Sequence, residues 1–317
     1  MFDVSIADAT SQTDVMALRN TVVLAVGPLV GVDPASGANK WLRTPADGLG
    51  QLPSTSDDSL VYPATYRGLG AISAIDPRNG TTQWTSSVLP RDTTVTSADY
   101  VRVFGPNKSG SLLAASFTIW KGSSTLDRGG VALLDAHSGV QRWSSMLPVK
   151  NSSVSTTPVR AAIGSGVVAV TSWEGFVYAY DESSGALRWT GATARLPASG
   201  QQFADPDIRE VAISGQVVVA GSGSAGLTGY DVRTRSPLWN VLLPSLGGVY
   251  RLVAVTGGRV IALHFAGGIS LVESSSGNVL WTMIPNGAAT RVNGLRASND
   301  TLFTTSIVGG LTAWKLP

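Results

Sequence analysis

His137 and His264 are the only two histidines in the 317 residues, and the chain has no cysteine. Thiol nucleophiles, disulfides and Cys-containing zinc sites are therefore excluded. His264 is the residue to weigh as a general base, because it ends the β-branched run Arg259–Leu263 and precedes Phe265, where a loop is expected. No nucleophile or carboxylate partner for it stands out, so neither catalysis nor zinc binding is expected there. His137 falls inside a short polar turn and is expected to be solvated. The segment Gly221-Ser-Gly-Ser-Ala-Gly226 fits the G-x-G-x-x-G pattern of phosphate loops. It stands between two strand-like runs with no helix after it, so it is expected to be a hairpin loop. No catalytic apparatus is recognisable, the chain is not expected to be an enzyme, and no cofactor or metal is expected.

Binding is the chemistry with more candidates. Tyr66 with Arg67, Trp120 with Lys121, Trp173 with Glu174, and His264 with Phe265 all fall where loops are expected. Exposed aromatics beside charged groups are the usual anchors of a binding surface, and the competing expectation is that they merely cap strand ends. Net charge is +2 and only 14% of residues are charged. That balance, without any basic run, gives no field for nucleic acid or an anionic membrane. The longest apolar stretch, Val22 to Val32, is broken by Gly27, Pro28 and Gly31 and is too short to span a bilayer. Met1-Phe2-Asp3 does not open a signal peptide, so the chain is expected either to be cytosolic or to begin after a removed leader.

What must position these residues is an internal repeat. Asp33-Pro-Ala-Ser-Gly37, Asp76-Pro-Arg-Asn-Gly80, Asp135-Ala-His-Ser-Gly139 and Asp181-Glu-Ser-Ser-Gly185 share one pattern, with variants at Asp231–Arg235 and Glu273–Gly277. Eight positions after each acidic residue stands a tryptophan: Trp41, Trp84, Trp143, Trp189, Trp239 and Trp281. The pattern predicts a hairpin, in which Asp accepts local backbone N–H bonds, Gly supplies a positive φ and the next strand carries the Trp. Further β-branched runs precede each hairpin, which makes four short strands per repeat. Successive tryptophans are about 40 to 60 residues apart, the spacing of propeller blades. The regular spacing marks these six tryptophans as structural.

Six Trp-marked blades and a shorter seventh predict one all-β domain over residues 1–317, a seven-bladed β-propeller. Met1–Ala7 would close the last blade as its outer strand, with Phe2 at the Trp position. An eight-bladed ring is the alternative if the native chain is longer. The longest interval, before Trp143, is assigned to an extended loop from Lys121 to Gly129.

The stretch Gly175-Phe-Val-Tyr-Ala-Tyr-Asp-Glu-Ser-Ser-Gly-Ala-Leu-Arg-Trp189, echoed at 69–84, resembles the PQQ-type (quinoprotein-like) propeller repeat. The resemblance covers nearly the whole chain and implies that each Trp docks between neighbouring blades. Quinoprotein dehydrogenases of that family hold a quinone with calcium and adjacent cysteines, and this chain has neither cysteines nor an assignable Asp/Glu/Asn cluster. The chain is closer in kind to short non-enzymatic members, such as the lipoprotein scaffold of outer-membrane β-barrel assembly. That implies a binding scaffold using one propeller face for a protein or peptide partner, located in the periplasm or outside the cell. It also implies membrane association through a lipid anchor trimmed from this chain, with no transmembrane segment. A small-ligand or carbohydrate sensor near Trp120 and Trp173 is the rival expectation, and a quinoprotein-type oxidoreductase the last.

Overall fold

Side chains branched at Cβ dominate the runs between turns and favour an extended backbone over a helix. The computed structural model describes residues 14–18, 20–25, 28–43, 59–63, 70–96, 99–104, 106–120, 128–148, 157–192, 208–222, 226–243, 249–255, 257–264, 266–284, 292–298, 301–306 and 311–315. Among these residues every helix or strand element is a strand. The chain divides into two compact units, residues 1–158 and 159–317.

In the first unit, β1 (Asp14–Leu18), β2 (Thr21–Ala25), β3 (Leu29–Val32) and β4 (Asn39–Arg43) form an antiparallel sheet in sequential order. β5 (Ala71–Ile75) and β6 (Thr82–Ser87) form a hairpin, and Val61 exchanges two backbone hydrogen bonds with Ile75 at its other edge. The third sheet holds β7 (Tyr100–Val103), β8 (Asn107–Ser109), β9 (Leu112–Trp120), β10 (Arg128–Asp135) and β11 (Gln141–Met146), with β7 and β8 sharing the edge of β9. The extra length of this repeat is therefore not confined to the expected loop. It also lengthens β9 to nine residues and β10 to eight, and splits the first strand in two. Ile72, Val101, Leu113, Phe117 and Leu134 are among the residues of this unit's larger core.

The second unit repeats the four-stranded pattern more regularly. Its sheets are β12 (Pro158–Gly164), β13 (Val167–Ser172), β14 (Phe176–Asp181) and β15 (Leu187–Ala192); then β16 (Ile208–Ser214), β17 (Val217–Ser222), β18 (Gly226–Asp231) and β19 (Pro237–Val241). β20 (Val249–Val255), β21 (Arg259–His264), β22 (Ile269–Glu273) and β23 (Val279–Met283) follow. Among the described residues the last sheet has three strands, β24 (Val292–Ser298), β25 (Thr301–Ser306) and β26 (Leu311–Lys315). Residues 1–7, expected to supply its fourth strand, lie outside the described residues. Second and third strands such as β13 and β14 are buried on both faces, which explains their nearly continuous apolar sequences.

The repeated hairpin has one geometry throughout. In four of the six turns the acid accepts backbone N–H bonds from the residues two and three positions on, as Asp33 does from Ala35 at 2.7 Å and Ser36 at 3.0 Å, whereas Asp76 accepts from Arg78 N alone. Asp135, Asp181 and Asp231 do the same. The fifth residue then donates its N–H back to the acid's carbonyl, at 2.8 Å in Gly37 and 2.9 Å in Gly139. That residue has a positive φ in every case, which glycine adopts without strain. At Arg235 the same conformation, φ 67°, is forced on a residue with a Cβ.

Past the turn, the fourth strand slips by one residue in all six hairpins, for instance between Gly31 and Val32 and between Ala179 and Tyr180. The slip leaves one bulged residue just before each Trp. Where that residue is basic it turns back to the acid: Lys40 to Asp33 at 3.7 Å, Arg142 to Asp135 at 3.5 Å, and Arg188 to Asp181. Asp76 is paired instead with Arg78, inside its own turn.

The slip also sets the Trp ring over the residue opposite it. That residue is glycine in two repeats, and a Cβ on Gly31 would lie 2.2 Å from Trp41 Cε2. From this place the indole reaches the turn of the following sheet. Trp41 Nε1 donates to Pro77 O at 2.7 Å, Trp84 to Ala136 O at 3.1 Å, Trp189 to Val232 O at 3.0 Å and Trp239 to Ser274 O at 2.8 Å. Each acceptor is the carbonyl of the residue immediately after the next turn acid. The ring meanwhile lies on the turn glycine: a Cβ on Gly80, Gly139 or Gly277 would come within 2.8 Å of Trp41, Trp84 or Trp239.

Three outcomes follow from this geometry. Trp189→Ala removes an indole that is only 6% exposed and should cost about 3–5 kcal/mol in urea unfolding. Trp314→Ala, outside the repeat register and 43% exposed, should cost no more than about 1 kcal/mol; equal losses would contradict the inter-sheet role. Arg235→Gly should raise stability by about 0.5–1 kcal/mol, by relieving the positive φ against glycine's greater freedom when unfolded. Asp33, Asp76, Asp135, Asp181 and Asp231 are all held below the ordinary carboxylate range. Backbone N–H bonds lead at Asp33, Asp135 and Asp231, and side-chain donors lead at Asp76 and Asp181. Their contribution is complete above the unfolded value of about 4 and is lost as pH falls through the lower folded values. Tm should therefore drop on acidification from about pH 5 to about pH 2, and Asp135→Asn should flatten that slope.

Candidate functional site

Tyr66, Arg67, Lys121 and Phe265 lie outside the described residues. The other candidates are placed, and their surroundings differ. Trp120, in the first unit, ends β9 directly opposite Tyr100 on β7. The two rings stack at 5.8 Å with 9° between their planes, a close cross-strand pair of the kind that stabilises sheets. One face of the Trp120 ring is thus covered by its own sheet, and its buried Nε1 meets no acceptor among the described residues.

Trp173 and Glu174, in the second unit, form the apex of the tight turn between β13 and β14. Gly175 closes that turn, donating its N–H to Ser172 O at 3.1 Å with a φ of 91°. Both flanking strands are among the most buried of the unit, so a rigid hairpin holds the apex out. Trp173 is 40% exposed there and Glu174 half-buried. Burial first, and then the Glu174 carboxylate, push the Tyr178 phenol up to about 12. The turn thus presents an aromatic surface together with a negative charge.

His264 is not on an open face, as the sequence led us to expect, but 1% exposed. The turn from β21 to β22 is short: His264 N donates to Gly268 O at 2.9 Å, and Gly267 N to His264 O at 2.8 Å. It folds Ser270 under the imidazole, with Nε2 and Ser270 Oγ 2.9 Å apart, and Ser270 Oγ lies 3.0 Å from Thr282 Oγ1 on β23. An imidazole beside a serine is the start of a nucleophile–base pair. Ser270 is fully buried, so no substrate reaches it. The chain of polar groups is a cross-strand network that satisfies a buried histidine. Among the described residues, no group of three His, Cys, Asp or Glu side chains is placed to hold a metal, and no helix is long and apolar enough to cross a membrane.

The sequence reading missed a set of buried charges. Arg160, Glu210 and Arg251 are each the third residue of the first strand of their sheets, β12, β16 and β20. Arg160 Nε donates to Glu210 Oε1 at 3.0 Å. Their signal was a charged residue recurring at one place in otherwise apolar strands, which only the strand starts make visible.

Comparison with known proteins bears on this arrangement. A family described as outer membrane protein assembly factor BamB matches residues 5–144 and 127–283. The outer membrane protein assembly factor BamB of Yersinia pestis is 22% identical over 316 residues, covering 92% of this chain and 74% of that protein. The crystal structure of BamB from Moraxella catarrhalis is similar over 96% of both chains, with 19% identity and a TM-score of 0.60. A chain of the mitotic checkpoint complex aligns with a TM-score of 0.67 at 16% identity, over 99% of this chain and 90% of that one. Likeness at such identities shows the fold alone, and a fold of this kind serves unrelated functions. The family match is more specific, running through all six Trp-marked repeats, and on it the chain belongs to the outer membrane protein assembly factor BamB family.

Proposed function

We propose that this chain is a non-catalytic binding scaffold for a protein partner in outer-membrane protein assembly, acting in the periplasm. In this reading residues 1–317 make one propeller domain of seven blades. The observation that carries it is the family match over residues 5–144 and 127–283. The site geometry supports it: His264 and Ser270, the candidate reactive pair among the described residues, are buried inside a sheet, whereas Trp173 is exposed beside Glu174 at the apex of a tight turn. A half-exposed Trp beside a carboxylate suits a protein surface that offers an apolar pocket and a basic side chain. The sugar-sensor alternative gains nothing from Trp120, since Tyr100 covers one face of its ring.

The test is a photo-crosslinking amino acid placed at Trp173 and, as a control, at Leu42, an exposed outer-strand position. In detergent-solubilised cell envelopes of the host, the Trp173 derivative should crosslink to one envelope protein that also co-purifies with the unmodified chain. Trp173→Ala should weaken that co-purification about tenfold or more, the loss of a central aromatic anchor. Crosslinks at Leu42 with none at Trp173 would move the partner to another surface. Absence of any co-purifying envelope protein would overturn the scaffold reading.

A further inference from the structure

The turn between β5 and β6 departs from its five counterparts at one place. The fourth residue of the repeat turn is elsewhere Ser36, Ser138, Ser184, Thr234 or Ser276, and its hydroxyl accepts the N–H of the residue two positions on. Here it is Asn79, whose Oδ1 accepts that bond from Thr81 N at 3.0 Å and a second from Thr81 Oγ1 at 2.8 Å. The exchange keeps the turn's hydrogen bond but creates an Asn-Gly step, with the exposed Asn79 next to the buried Gly80. Such a pair carries latent chemistry, because the glycine nitrogen, with no neighbouring Cβ in its way, can attack the side-chain amide.

In that reaction a solvent base takes the proton from Gly80 N, the nitrogen forms a bond to Asn79 Cγ, and the Cγ–Nδ2 bond breaks to release ammonia. Water then opens the five-membered imide at either carbonyl and leaves aspartate or isoaspartate. To close the ring, Cγ must take the place of the Gly80 amide hydrogen. In the folded turn that hydrogen points at Asp76 O, only 2.8 Å from Gly80 N, which leaves no room for a carbon bonded to the same nitrogen. The turn is also clamped from β4. Trp41 Nε1 donates to Pro77 O at 2.7 Å, and Arg43 Nη1 donates to Gly80 O at 2.8 Å and to Thr82 Oγ1 at 2.6 Å. The Trp41 ring lies against Gly80 itself.

We propose that Asn79 is a deamidation site that the Trp41 junction holds shut, so that its conversion records the opening of this junction. The reaction runs from the opened turn, at a rate set by how often the turn and β4 part. Isoaspartate routes the backbone through Cβ and adds an atom to the turn. Gly80 then no longer meets both Asp76 O and the indole, and an opened junction is marked irreversibly. This assignment is independent of the scaffold reading, since it concerns a junction of the first unit that holds none of the candidate binding residues.

Mass-spectrometric peptide mapping of the full chain after incubation in mildly alkaline buffer tests it. Cleavage after Arg78 and Arg91 isolates residues 79–91, in which Asn79 is the only asparagine. That peptide should convert about tenfold or more slower in the folded chain than in the chain unfolded in guanidinium chloride. Trp41→Ala should raise the folded-state rate about tenfold or more. Trp239→Ala removes the corresponding ring from a junction of the second unit and should leave the rate within about twofold. Arg43→Met keeps the indole and loses one clamp, so it should raise the rate about fivefold, and it decides the matter if Trp41→Ala does not fold. Equal rates in the folded and unfolded chain, no acceleration in the folded junction variants, or the same acceleration in Trp239→Ala would each overturn the proposal.

Discussion

Sheets stacked side by side share no backbone ladder, so their order along the chain depends on what bridges one to the next. At four junctions an indole, seated on its own hairpin and bonded to the following one, is the bridge that the repeat supplies. Trp41, Trp84, Trp189 and Trp239 each donate to the carbonyl just after the next turn acid. The hydrogen bond alone contributes about 1 kcal/mol, and burying a large ring contributes more. What the bond adds is direction, because the ring fits in one orientation and at one height.

The rest of the repeat follows from that requirement. The one-residue slip before each Trp places the ring across its own hairpin, and the turn glycine ahead leaves room for the ring to land. Asp at the start of the turn keeps the acceptor carbonyl still by tying down the N–H groups beyond it. Each part therefore serves two sheets at once, and so the motif is kept more strictly than the strands between. Arg235 is the exception that shows which demand yields. Its turn keeps the positive φ and the hydrogen bonds to Asp231 without glycine, and Trp189 still reaches Val232 O.

Much of this was legible in the sequence. The offset of eight from acid to Trp gave the hairpins, their turn chemistry and the four-strand unit, because local backbone geometry is encoded within a few residues. The landing of each Trp was not legible, since its acceptor lies 35 to 52 residues further on. The burial of His264 was missed for a related reason. Its exposure depends on whether the turn to β22 is long or tight, and a tight turn brings Ser270 beneath it. Trp120 likewise looked like a free ring until its register opposite Tyr100 was known. The charges at Arg160, Glu210 and Arg251 were hidden because strand slips such as the one before Glu210, which no alternation rule predicts, decide the register of the first strands.

The distribution of polar chemistry among the placed candidates fits the proposed reading of a frame that holds a partner. Catalysis needs a reactive group that is at once activated by a neighbour and open to substrate. Among the placed candidates those two properties are separated. His264 and Ser270 have a neighbour but no access, whereas Trp173 has access but no reactive atom. A frame whose sheets are locked by indoles onto rigid turns keeps its hairpin apices fixed, and a fixed apex loses little conformational freedom when a partner docks. Pre-organisation of that kind favours a surface that must present the same few side chains every time, which is the demand an assembly scaffold faces.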